Sequence, residues 1–86
     1  MIIKYKFLKN KYPAGIFHRH AQRFQWENAE LSLGDGYFLR EESNIITEEH
    51  LQKHIKRYKT NEWWDAMRST EEEIKLFYIQ RKLKRL

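Results

Sequence analysis

The sequence predicts an α+β fold: a small antiparallel sheet of three or four N-terminal strands, covered on one face by two or three C-terminal helices. In Ile2 to Lys9 and again in Ala29 to Leu33, apolar side chains recur at every second position, the period of strands with one buried face, and Pro- and Gly-bearing turns punctuate the N-terminal part. From Thr47 onward the apolar spacing lengthens to three and four, with the acidic residues Glu48 and Glu49 in front and basic residues behind, as a helix dipole favours. The chain has 86 residues and no internal repeat, so residues 1–86 read as a single small basic domain with one modest core. Burial of five Phe, five Tyr and three Trp enlarges that core beyond what the aliphatic residues supply.

Ile2 to Lys9 alternates Ile3, Tyr5 and Phe7 on one side with Lys4 and Lys6 on the other, which places the two lysines toward water. Tyr12-Pro13-Ala14-Gly15 suits a turn with Pro at its second position. As a strand, Ile16 to Trp26 carries Ile16, His18, His20, Gln22, Phe24 and Trp26 on one face and Phe17, Arg19, Ala21, Arg23 and Gln25 on the other. Neither face is cleanly apolar, so this is an edge strand or one whose polar face has a task. The rival assignment is a helix from Ala21 to Leu33, ended by Gly34. Ala29, Leu31 and Leu33 alternate, Gly34-Asp35-Gly36 turns, and Tyr37 to Arg40 resumes, which is a hairpin pattern.

Thr47 caps a helix with Glu48 and Glu49 in its first turn, Lys56, Arg57 and Lys59 at its end, and Leu51, Ile55 and Tyr58 as its apolar stripe. Thr60 or Asn61 caps a short helical piece holding Trp63, Trp64, Ala66 and Met67. Ser69 with Glu72 has capping-box spacing for a last helix from Thr70 to about Arg85. Leu76, Ile79, Leu83 and Leu86 make its stripe, and Ile74, Phe77 and Tyr78 widen the first half. Arg81, Lys82 and Arg85 then form a basic outer face.

Charge suggests a partner. Seventeen Lys and Arg stand against 12 Asp and Glu, giving +5 with no basic tail, so a positive surface must be assembled by folding. Basic and aromatic residues interleave in Lys4-Tyr5-Lys6-Phe7, Phe17-His18-Arg19-His20, Arg23-Phe24-Gln25-Trp26 and Arg57-Tyr58-Lys59. Cations seek phosphates and rings stack on exposed bases, which points to nucleic acid. The expected contacts are Lys4, Lys6, Arg19, Arg23, Lys53, Lys56, Arg57, Arg81, Lys82 and Arg85. A merely solvated surface would explain any one basic face, but not so readily their joint occurrence. Single-stranded or irregular RNA is expected over duplex DNA, because no helix-turn-helix pair is evident and stacking suits unpaired bases. Strands preceding helices also set the chain apart from the βαββαβ RNA-recognition layout.

Other classes are constrained. No cysteine is present, which excludes disulfides and thiolate metal sites and suits the cytoplasm. No apolar run reaches the ~20 residues of a membrane span, and Met1-Ile2-Ile3-Lys4 does not open a signal peptide. His18 with His20, and His50 with His54, share faces in a strand and a helix. Such pairs suit Zn²⁺ or acid–base cleavage of RNA, yet no carboxylate stands at a recognised spacing, so no metal, cofactor or catalytic residue is expected. In a helix, Trp63 and Trp64 would point about 100° apart, so either both rings wedge between the helices and the sheet, or one enters the core and the other is free for a base or partner. Gly34-Asp35-Gly36 lacks the strand-to-helix setting of a phosphate loop. The alternatives to RNA binding are a small inhibitor or adaptor docked on a host protein, of a size and charge suited to a virus or mobile element, and a His-based ribonuclease.

Overall fold

The computed structural model describes residues 1–8 and 31–85. Four strands form one antiparallel sheet: β1 (Ile2–Phe7), β2 (Leu31–Gly34), β3 (Tyr37–Glu41) and β4 (Trp64–Arg68), in the spatial order β2-β3-β1-β4. Two helices, α1 (Glu48–Tyr58) and α2 (Glu71–Arg85), complete an α+β fold. The expected turn at residues 12–15 and the segment 16–26 lie outside the described residues.

β1 is paired on both sides, so its alternation defines the two faces of the sheet. Tyr5 lies opposite Phe38 and Ala66, and Phe7 opposite Trp64, which gathers these side chains with Ile3 on one face. Ile45 and Leu51 close this core from above, with Ile55, Tyr58 and Trp63 at its margin. Its rings meet edge to face, Trp64 standing 4.9 Å from Phe7 and 5.6 Å from Phe38, a geometry that adds quadrupolar attraction to burial. The opposite face buries Ile2, Leu39 and Phe77, bordered by Leu31, Leu33 and Ile74.

Local chemistry accounts for the hairpin and α1. Asp35 (φ 53°) and Gly36 (φ 84°) both take the left-handed conformation that a two-residue hairpin turn requires, and the ladder is irregular between Ser32 and Gly34. Thr47 Oγ1 accepts a hydrogen bond from the His50 N–H at 3.2 Å, the expected N-cap.

Three expectations are corrected. The Trp-bearing segment is not a short helix but strand β4, so the fourth strand comes from between the helices rather than from the N-terminal region. Asn61 Oδ1 accepts from the N–H groups of Trp63 (2.8 Å) and Trp64 (2.9 Å), turning the chain alongside β1, whose edge groups would otherwise lack partners. The last helix is capped one residue later than expected. Thr70 and Glu73 satisfy one another's backbone N–H groups at 2.9 and 3.1 Å, while Ser69 is buried and donates to the Ile2 carbonyl at 3.0 Å.

The third correction concerns how α2 lies. Phe77 is 1% exposed, whereas Leu76, Ile79 and Leu83 are 39%, 53% and 57% exposed. The expected core stripe faces outward because α2 packs on the sheet face that carries Lys4 and Glu41. Lys4 pairs with Glu73 at 2.8 Å and Arg81 with Glu41 at 3.4 Å, on either side of Phe77. The helices therefore divide between the two faces instead of gathering on one. Among the described residues no helix is long and apolar enough to cross a membrane.

Candidate nucleic-acid interface

His50, Lys53, His54 and Arg57 stand at positions i, i+3, i+4 and i+7 of α1, a spacing that puts them on one flank of the helix. Leu51 anchors the adjoining stripe to the sheet, so the flank is held against the segment that leaves β3. There a recess of about 180 Å³ opens, lined by Asn44, Ile45, His50, Lys53, His54 and Arg57. Among the described residues no carboxylate lines it. Lys53 makes one solvent-exposed contact with Glu49 at 3.4 Å, a pair worth little in water. Among the described residues Lys56 and Arg57 form no ion pair.

A polar network supports the recess from behind. The Tyr5 hydroxyl, 0% exposed, lies 2.5 Å from Glu42 Oε1 and 2.9 Å from His54 Nε2, and Glu42 also meets Arg40 Nε at 3.3 Å. Burial, reinforced by Glu42, pushes the Tyr5 pKa far upward, so the hydroxyl keeps its proton and donates it to the carboxylate. The Tyr5 oxygen must then accept from His54, which fixes the neutral imidazole as the Nε2–H tautomer and leaves Nδ1 to take a second proton. On the exposed side, the Ile46 N–H approaches His50 Nδ1 at 3.5 Å, a weak contact.

Burial above all holds the His54 pKa below the ordinary imidazole value; Arg57 and Arg40 act in the same sense and Glu42 opposes them. The unfolded chain thus binds a proton at His54 more readily than the folded one. Folding stability should fall as pH drops from about 6.5 toward the lower folded-state value, then level off. Urea titrations at pH 7.5, 6.5 and 5.5 on the protein and on His54→Gln should show this slope reduced in the variant. An identical slope in both would remove His54 as its source.

The expected patch is split between the two faces. Lys53, Lys56 and Arg57 lie together on α1. Lys4 and Lys6 do not face open water but lie half-buried on the other face, their ammonium groups 4.7 and 5.1 Å from the Tyr37 ring centre. Arg81 is likewise not on an outer face: it pairs with Glu41 and lies 4.8 Å over the Phe77 ring. Lys82 is exposed, Arg85 is the last residue of α2, and Arg19, Arg23, His18 and His20 lie outside the described residues. Trp64 is the core anchor, while Trp63 is half-buried, 6.2 Å from Phe7. Among the described residues no group of three or more His, Asp or Glu could hold a metal ion.

Sequence reasoning missed Asn44 and the Tyr5–Glu42–His54 network, whose members lie 37 and 49 residues apart along the chain. No local pattern announces contacts of that range. The joint spacing of His50, Lys53, His54 and Arg57 was available in the sequence as a single flank. The chain matches no protein-family model, no curated protein and no solved structure.

Proposed function

We propose that this protein is a small, non-enzymatic, cytoplasmic RNA-binding protein that holds phosphates of single-stranded or irregular RNA along α1. The observation that carries this reading is the convergence of Lys53 and Arg57 with His50, His54 and Asn44 on a recess that no described carboxylate lines. Lys56 and Lys59 extend the positive charge along the exposed side of α1.

The test is titration of a labelled single-stranded oligoribonucleotide at several salt concentrations. Lys53→Gln, Lys56→Gln and Arg57→Gln combined should weaken binding and flatten the log–log salt slope by about 2, at roughly 0.7 for each phosphate no longer neutralised. Stability should change by no more than ~0.5 kcal/mol per site, because these side chains are exposed. Unchanged affinity and slope would dismiss the interface.

One observation favours a second reading, an inhibitor or adaptor docked on a protein: Leu76, Ile79 and Leu83 lie together on the exposed side of α2. Affinity capture with and without nuclease separates the two. A partner that survives nuclease and is lost with Ile79→Lys supports docking through α2.

A further inference from the structure

We infer that the recess between Asn44–Ile45 and the flank of α1 is a phosphomonoester site that takes the terminal phosphate of an RNA. The inference rests on the RNA-binding reading and narrows it from a charged surface to one group at the end of the strand.

Size, charge and donor chemistry agree. At about 180 Å³ the recess is smaller than the ~300–1,000 Å³ pockets that enclose drug-sized ligands, so it suits a single anionic group rather than a whole nucleoside. Lys53 and Arg57 supply two permanent cations. A phosphomonoester carries about −1.5 to −2 near neutral pH, whereas an internal phosphodiester carries one charge, so the monoester is the better match. Five of the six lining residues bring polar side chains: the Arg57 fork, the Lys53 ammonium, the Asn44 amide and two imidazoles. Ile45 alone is apolar, and it is buried. The Glu42 carboxylate is already engaged by Tyr5 and Arg40 and stands behind His54 rather than in the recess.

Proton uptake follows from the same arrangement. His54 is faced by Tyr5 from β1, by Arg40 and Glu42 from β3 and its exit, and by Tyr58 and Arg57 from its own helix, where His50 and Lys53 share the flank. A dianion in the recess adds negative charge beside the His54 imidazole and opposes the burial that holds its pKa down.

The experiment compares one oligoribonucleotide bearing a 5′-phosphate, a 3′-phosphate or hydroxyls at both ends, alongside inorganic phosphate and phosphoserine. Imidazole NMR signals of His50 and His54 report on the recess, and thermal melts report on the fold. A terminally phosphorylated strand should bind about tenfold more tightly than the hydroxyl form, as expected for a charge-assisted bidentate contact. That difference should vanish in Arg57→Gln and in Asn44→Ala while the melts are retained. Equal affinity for all three strands, with binding retained, overturns the terminal-phosphate site and leaves the RNA reading standing. If no strand binds but inorganic phosphate or phosphoserine shifts the histidine signals, the RNA source is overturned. Silence from every phosphate probe overturns the site itself.

Discussion

Phe77→Ala is expected to lower the stability of this domain by about 3–5 kcal/mol, whereas Leu83→Ala should change it by no more than ~0.5 kcal/mol. Phe77 is 1% exposed and reaches the sheet between Ile2 and Leu39. Its loss would leave a cavity under α2 that the flanking Lys4–Glu73 and Arg81–Glu41 pairs cannot fill. Arg81 also rests over the Phe77 ring, so truncation removes that interaction too. Domains of this kind are stable by only about 5–15 kcal/mol in total, so the substitution removes a large part of the margin. Leu83, 57% exposed, has little burial to lose. Urea unfolding of both variants is the check. A larger loss for Leu83→Ala than for Phe77→Ala would mean that α2 presents its Leu76, Ile79 and Leu83 side to the sheet.

The contrast between those two residues shows where local sequence stops deciding structure. In α2 the regular spacing of Leu76, Ile79 and Leu83 is the stronger periodic signal, but the second face of the sheet offers Lys4 and Glu41 as well as Ile2 and Leu39. Glu73, Phe77 and Arg81, spaced four apart, match that mixed surface, and the leucines are turned away. The segment 63–67 is ambiguous for a related reason. Trp64 and Ala66 fit a strand, while Trp63 and Met67 fit one helical face, and a short apolar run satisfies either period. Pairing with β1 settles it, and that partner lies about sixty residues away in sequence. β1, the hairpin and α1 were legible because alternation, an Asp-Gly turn and a Thr cap each act within a few residues.

The same division runs through the candidate site. Lys53 and Arg57 could be chosen from the sequence, since their helix and its apolar stripe are local features. That Lys4 would be neutralised by Glu73 depended on which face α2 covers. Tyr5 illustrates the limit most clearly. Its place in an alternating strand announces burial, but nothing nearby in sequence announces that its hydroxyl will join Glu42 to His54 and set the imidazole tautomer.

Leu51→Ala is expected to cost about 2–5 kcal/mol and, separately, to weaken whatever the α1 flank binds. Leu51 is 0% exposed and is the one α1 residue fully buried in the core beneath it, among Tyr5, Ile45 and the residues around them. An 11-residue helix is too short to persist in water on its own, so α1 depends on that attachment. The flank bearing His50, Lys53, His54 and Arg57 is rigid with the same helix, and its distance from Asn44 and Ile45 defines the recess. Truncating Leu51 should therefore reduce both unfolding free energy and ligand affinity, measured at low temperature where the variant remains folded. Arg57→Gln should reduce affinity alone, since its side chain lies outside the core. A Leu51→Ala variant as stable as the original would refute the packing of α1. One that is destabilised by several kcal/mol yet binds unchanged would place the binding surface elsewhere than on this helix.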